Sequence, residues 1–126
     1  MSAREEARAH LRKAQQFLDS AIDLRDRAQW DVATSNAVTA GINAADTVLL
    51  VLTGRSAKTG DHADAVRALE AAGGLAKPMV SPLKRLLKHK NRAQYQVAPM
   101  SRSVARSAVG GAEQLCSMAR DILTER

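Results

Sequence analysis

Apolar positions recur along most of this chain at helical spacing, and polar punctuation divides them into five stretches. Ser2 and Glu5 stand three apart at the start. This is a capping-box signature, in which the hydroxyl takes an orphan amide N–H and the carboxylate reaches back to the cap residue's own N–H. Behind them Ala7, Leu11, Ala14, Leu18, Ala21 and Ala28 step by threes, fours and one seven, with Phe17, Ile22 and Leu24 alongside. Glu5, Arg8, Arg12 and Lys13 occupy the other faces. The pattern predicts an amphipathic helix of about 27 residues.

Trp30–Asp31 breaks the pattern, with Asp31 placed to cap the next helix. From Val32 to Leu52 two apolar lines run together, Ala33, Ala37, Ala40, Ala44 and Val48 beside Val38, Ile42, Ala45, Leu49 and Leu52. A helix apolar on most sides belongs at the centre of a bundle, where small side chains let neighbours approach closely. Gly54 is expected to close it in a left-handed conformation. After the loop "RSAKTG", Asp61 is the expected cap of a short helix with Ala63, Val66, Leu69 and Ala72 inward, ended by Gly73–Gly74. Ser81–Pro82 is a cap-then-proline start for a fourth helix burying Leu83, Leu86 and Leu87. "QVAPM" ends it, since Pro99 forbids continuation. Ser101 caps a last helix with Val104, Ala108, Leu115, Ala119 and Ile122 on one side. Gly110–Gly111 inside that helix costs about 1 kcal/mol per glycine against alanine, which implies close backbone packing or a local bend. The expected fold is all-α, an antiparallel bundle of about five helices forming one domain over residues 1–126.

Composition narrows the picture. Hydrophobic residues make up 45% of the 126, much of that alanine, and the aromatics are only Phe17, Trp30 and Tyr95, so strands have little to build with. The lone Cys116 excludes an internal disulfide and suits a reducing cytoplasm. "MSAREEARAHL" lacks the apolar core of a signal peptide. The longest apolar-rich run, Ala44 to Leu52, is interrupted by Asp46 and Thr47 and is too short to span a membrane. A soluble cytoplasmic protein is expected.

Charge is unevenly distributed. The net charge is +6, yet no Asp or Glu occurs between Glu70 and Glu113, a stretch holding Lys77, Lys84, Arg85, Lys88, Lys90, Arg92, Arg102 and Arg106. A merely solvated helix mixes both signs for i,i+4 pairing. Cations clustered without acids concentrate anions, so the fourth helix is a candidate phosphate-binding surface. Lys84, Lys88 and Asn91 share one face by spacing, and Arg85, His89 and Arg92 share the adjacent one.

Other chemistry is largely excluded. His10, His62, His89 and Cys116 show no metal-ligand spacing, and no glycine-rich loop leads from a strand into a helix, so neither a metal nor a nucleotide cofactor is expected. Cys116 falls beside the apolar stripe of the last helix, the place of a structural thiol. Asp46, on a helix otherwise apolar, calls for a partner, with Lys90 or Arg92 of the fourth helix as the expected one and a water-facing place beside Asn43 as the alternative.

"NAVTAGINAADTVLLVLTG", "DHADAVRALEAAGG", "KNRAQY" and the alanine-rich last helix together resemble the HEPN domain family from about Ala7 to Leu123. That resemblance implies an all-α bundle of four to five helices that pairs as a homodimer. Many such proteins are toxin ribonucleases partnered with a nucleotidyltransferase antitoxin. By the same resemblance Asp46 ends a second-helix stretch that often closes in an acid, and His62 stands where a histidine opens the third helix. Small bacterial members end the fourth helix in an arginine five residues before an Asp-Tyr pair; here those positions hold Lys90, Gln94 and Tyr95. Arg92 stands where a second basic residue is common.

Nuclease members carry an arginine followed after four to six residues by a histidine, the first to hold phosphate and the second to move protons. Counting from Arg92 gives Val97, Ala98 and Pro99; counting from Lys90 gives Tyr95, Gln96 and Val97. His89 precedes both. The expectation is therefore a non-catalytic module binding RNA, a nucleotide or a protein partner through Lys84, Arg85, Lys88, His89, Lys90 and Arg92, with Asp46 and His62 in support. Two alternatives stay open. One is a ribonuclease using His89, Arg92 or Tyr95. The other is a dimeric scaffold that docks an acidic partner.

Overall fold

A computed structural model describes residues 1–57, 62–95 and 98–125, with the side chains at 91 and 93–95 outside that description. Among the described residues five helices form, α1 (Ala3–Asp26), α2 (Trp30–Thr53), α3 (His62–Ala71), α4 (Lys77–Tyr95) and α5 (Arg102–Glu125). Among the described residues there is no strand.

Local capping chemistry sets most of the ends. The Ser2 hydroxyl accepts the Glu5 N–H at 3.1 Å and the Glu5 carboxylate accepts the Ser2 N–H at 3.3 Å, the reciprocal pair expected. Helix α1 closes with the Gln29 N–H on the Leu24 carbonyl and the Ala28 N–H on the Arg25 carbonyl. These are the paired bonds of a Schellman motif, with Ala28 at φ 59° where glycine is usual. Gly54 ends α2 at φ 77°, its N–H on the Leu50 carbonyl. Ser101 caps α5, its hydroxyl accepting the Val104 N–H at 3.1 Å. The expected Asp61 cap of α3 lies outside the described residues.

Two helix starts differ from expectation. The N-cap of α2 is Gln29, which makes no side-chain capping bond. Asp31 sits inside the first turn and its carboxylate accepts the Met100 N–H at 2.7 Å, so a tertiary donor has displaced the local one. Helix α4 begins at Lys77, five residues before the proline expected to open it. Pro78 already occupies the first turn, where a missing N–H costs nothing. Pro82 then forfeits a single intrahelical bond, and its buried ring packs into the interior.

Helix α2 touches all four other helices and forms the bundle's centre. By length and composition it would suffice to cross a membrane, contrary to the shorter apolar run counted above, but most of it is buried inside the bundle. Its central position accounts for its apolar circumference. Leu49, Leu69, Met79, Leu83, Leu86 and Leu115 are the large side chains closed off from solvent. At Gly41 a β-carbon would overlap Leu86 Cδ2 and lie 3.1 Å from Leu115 Cδ1, so the missing side chain sets how closely α2 meets α4 and α5. Gly110 and Gly111 have nothing among the described residues within 4 Å of that position, which removes close packing against those residues as their reason.

Candidate functional site

Helix α4 presents its two faces to different worlds. Leu83 and Leu86 are fully buried and Leu87 packs against the same core. Lys77, Lys84, Lys88 and Arg92 follow one another by seven, four and four, with Arg85 beside them, and all five are exposed. At a rise of about 1.5 Å per residue the stripe runs roughly 22 Å. Among the described residues Lys84 alone of these has a carboxylate within 4 Å, Glu70 of α3 at 3.9 Å across an exposed contact. Helix α5 opens with Arg102 and Arg106, also exposed and without a carboxylate partner among the described residues.

The expected site residues separate into groups. Lys84, Arg85, Lys88 and Arg92 share the exposed face. Lys90 does not, since it lies one and two turns from Leu86 and Leu83 on the core-facing side and is half-buried. His89 is half-buried as well. Among the described residues its Nδ1 is enclosed without a hydrogen-bond partner, and burial first, then the neighbouring Arg92 guanidinium, holds its pKa below the ordinary imidazole value. The ring is therefore neutral near pH 7, with one nitrogen turned away from solvent. Tyr95 ends α4 but its side chain lies outside the described residues, as does that of Gln94. His62 is the half-buried first residue of α3.

Asp46 faces α1, not α4. Its nearest basic group is His10, whose Nδ1 is 4.0 Å from Asp46 Oδ2 and 2.9 Å from the Asn43 side-chain oxygen. Burial raises the Asp46 pKa, while His10 and the Ala57 N–H oppose that rise. No lysine or arginine among the described residues approaches it within 4 Å, so the expected pairing with Lys90 or Arg92 is replaced by a polar cluster of His10, Asn43 and Asp46 between α1 and α2. Sequence spacing gave no sign of His10's part, because the two helices meet only in the folded bundle. Cys116 is fully buried and its thiol is pushed up to about 11, chiefly by burial, which leaves too little thiolate for nucleophilic work.

The fold and this surface define a class: a small all-α bundle whose fourth helix carries cations largely without acids to compensate them. The HEPN domain model matches residues 7–122, and the chain belongs to that family. No curated protein gives a significant match.

Proposed function

We propose that this HEPN chain is a non-catalytic module that binds RNA through the exposed cations of α4. The observation that carries this is the stripe of Lys77, Lys84, Lys88 and Arg92 with Arg85, where among the described residues one carboxylate, Glu70 at 3.9 Å from Lys84, offsets five positive charges. Long flexible cations in that arrangement suit successive phosphates, and the counterions they release make binding steeply salt-dependent. Arg92, the one arginine along that line, adds a fork that grips phosphate oxygens in pairs.

The proton chemistry of a nuclease has weaker support. His89 precedes Arg92, and its Nδ1 is enclosed. A general base needs a nitrogen within hydrogen-bond reach of the ribose hydroxyl.

Affinity for a single-stranded RNA measured across salt concentrations tests the binding. Each phosphate contact contributes about −0.7 to the log–log slope, so replacing Lys84, Lys88 and Arg92 together by alanine should flatten it by about 2. An unchanged slope would put the binding surface elsewhere. The same RNA should remain intact after incubation, and induced cells should grow normally. Cleavage that vanishes in both His89→Ala and Arg92→Ala would make the chain an enzyme instead. Material co-purifying from the native host would distinguish RNA from a nucleotidyltransferase-type or other protein partner.

A further inference from the structure

Helix α4 shows solvent a ridge on which Lys77, Ser81, Lys84, Arg85, Lys88 and Arg92 stand exposed, while Pro82, Leu83 and Leu86 are buried behind it. Lys84 and Arg85 lie side by side, so the six residues occupy five places along the helix. Successive places are three or four residues apart. At about 1.5 Å of rise per residue the steps are about 5–6 Å. Four places hold cations and the second holds Ser81. The Glu70 carboxylate, 3.9 Å from Lys84, borders the third place, where Arg85 stands with no carboxylate within 4 Å among the described residues. Apart from Pro78 in the first turn, no apolar side chain among the described residues is exposed on this helix.

Resting on the RNA-binding function proposed above, we infer that the bound RNA is a single strand lying lengthwise along α4, with one phosphate at each of these places and its bases turned away from the protein. The step along the ridge is close to the separation of neighbouring phosphates on one strand. A strand that follows the helix axis therefore meets a cation at nearly every nucleotide, and Ser81 is the missing rung. A duplex fits this surface less well. Its strands wind away from a straight line of cations, and the major groove of A-form RNA is too narrow and deep for side chains to read. Nor does α4 stand clear of the bundle to enter a groove, since it packs against α2, α3 and α5. An acidic protein helix would match the charge, but protein interfaces centre on apolar and aromatic anchors, and among the described residues the ridge offers Pro78 alone. Lysine and arginine without an aromatic side chain between them hold the backbone and leave the bases unread.

End-labelled oligouridylates of increasing length, followed by anisotropy across salt concentrations, test the path. The log–log slope of the wild-type protein should steepen with length up to about five phosphates and then stay constant, because the ridge runs only about 22 Å. Ser81→Lys fills the empty rung and should steepen the slope for a strand of that length by about 0.7. Gln16→Lys adds the same charge at an exposed position of α1, a helix that does not touch α4 among the described residues, and should leave the slope unchanged. An abasic strand of equal length should bind as tightly as the oligouridylate. Equal slopes for the wild type, Ser81→Lys and Gln16→Lys, with the loss in the Lys84, Lys88 and Arg92 alanine variant retained, would overturn the lengthwise path and leave α4 as the binding surface. A loss of about five-fold or more on the abasic strand would show a base held by stacking and overturn binding through the backbone alone. Failure of every strand to bind would remove the α4 surface and the path together.

Discussion

Asp46 retains only 15% of its side-chain exposure on a helix that is apolar nearly all round, and its surroundings pull its titration in opposite directions. The Asn43 side-chain oxygen accepts a hydrogen bond from the His10 Nδ1–H at 2.9 Å, while the same nitrogen stays 4.0 Å from the Asp46 carboxylate, which weakens the pairing. Burial prevails, and the folded pKa lies above 3.8. Because the folded value is raised, the folded state favours the protonated acid. The associated stability is complete below pH 3.8 and is lost as pH rises through the folded pKa. An Asp46→Asn protein keeps an oxygen to accept the Ala57 N–H and carries no buried charge. Thermal unfolding from pH 4 to pH 8 should show the variant at least as stable as the natural protein at neutral pH, with the difference closing toward the acid end. A variant clearly less stable at neutral pH would mean that the His10 interaction outweighs burial.

Among the helices, glycine separates crowded positions from open ones. Gly41→Ala drives a methyl into Leu86 and toward Leu115 at the place where α2, α4 and α5 meet, and should cost about 1–3 kcal/mol despite the better helix propensity of alanine. Gly110→Ala meets nothing among the described residues within 4 Å and should stabilise the protomer by about 0.5–1 kcal/mol. Urea unfolding of the two variants checks both signs, and a stabilised Gly41→Ala would show that Leu86 yields freely. The same contrast explains what the sequence discloses. The Ser2–Glu5 box, the Gly54 closure and the Ser101 cap were legible because each joins groups within four residues of one another. Gly41 was not, since in a run of small residues it looks like one more alanine until the partner helix is in place. Asp31 and Asp46 were misassigned for a related reason: their partners, Met100 and His10, come from other parts of the chain. The start of α4 was misplaced because the Ser81–Pro82 pair carries a cap-then-proline signal, whereas the helix already begins at Lys77 with Pro78 in its first turn. The basic face of α4 was visible from the missing acids alone, whereas the half-buried places of Lys90 and His89 required the direction of the core.

For the whole molecule, the interior is made of small pieces. Fourteen of the thirty apolar side chains buried among the described residues are alanine, each contributing a single methyl group to the core. At about 25 cal/mol per Å² of apolar surface buried, such a core gives less stabilisation than one of leucine and phenylalanine with the same number of residues. Small domains with limited cores commonly gain from association, and the chain's family resemblance implies a pair. The partner surface should avoid α4, because two copies each carrying a net charge of +6 would otherwise bring their densest cations face to face. The expected assembly is a homodimer that leaves both α4 stripes free for RNA. Light scattering at micromolar concentration should give twice the 13.5 kDa protomer mass. If folding is coupled to pairing, the unfolding temperature should rise with protein concentration, since a partner that binds only the folded chain stabilises it by mass action. RNA at saturating concentration should leave the dimer mass per protein unchanged apart from the bound strand. A protomer mass that persists across dilution, with an unfolding temperature independent of concentration, would end the dimer expectation and leave α4 as the binding surface of a monomer.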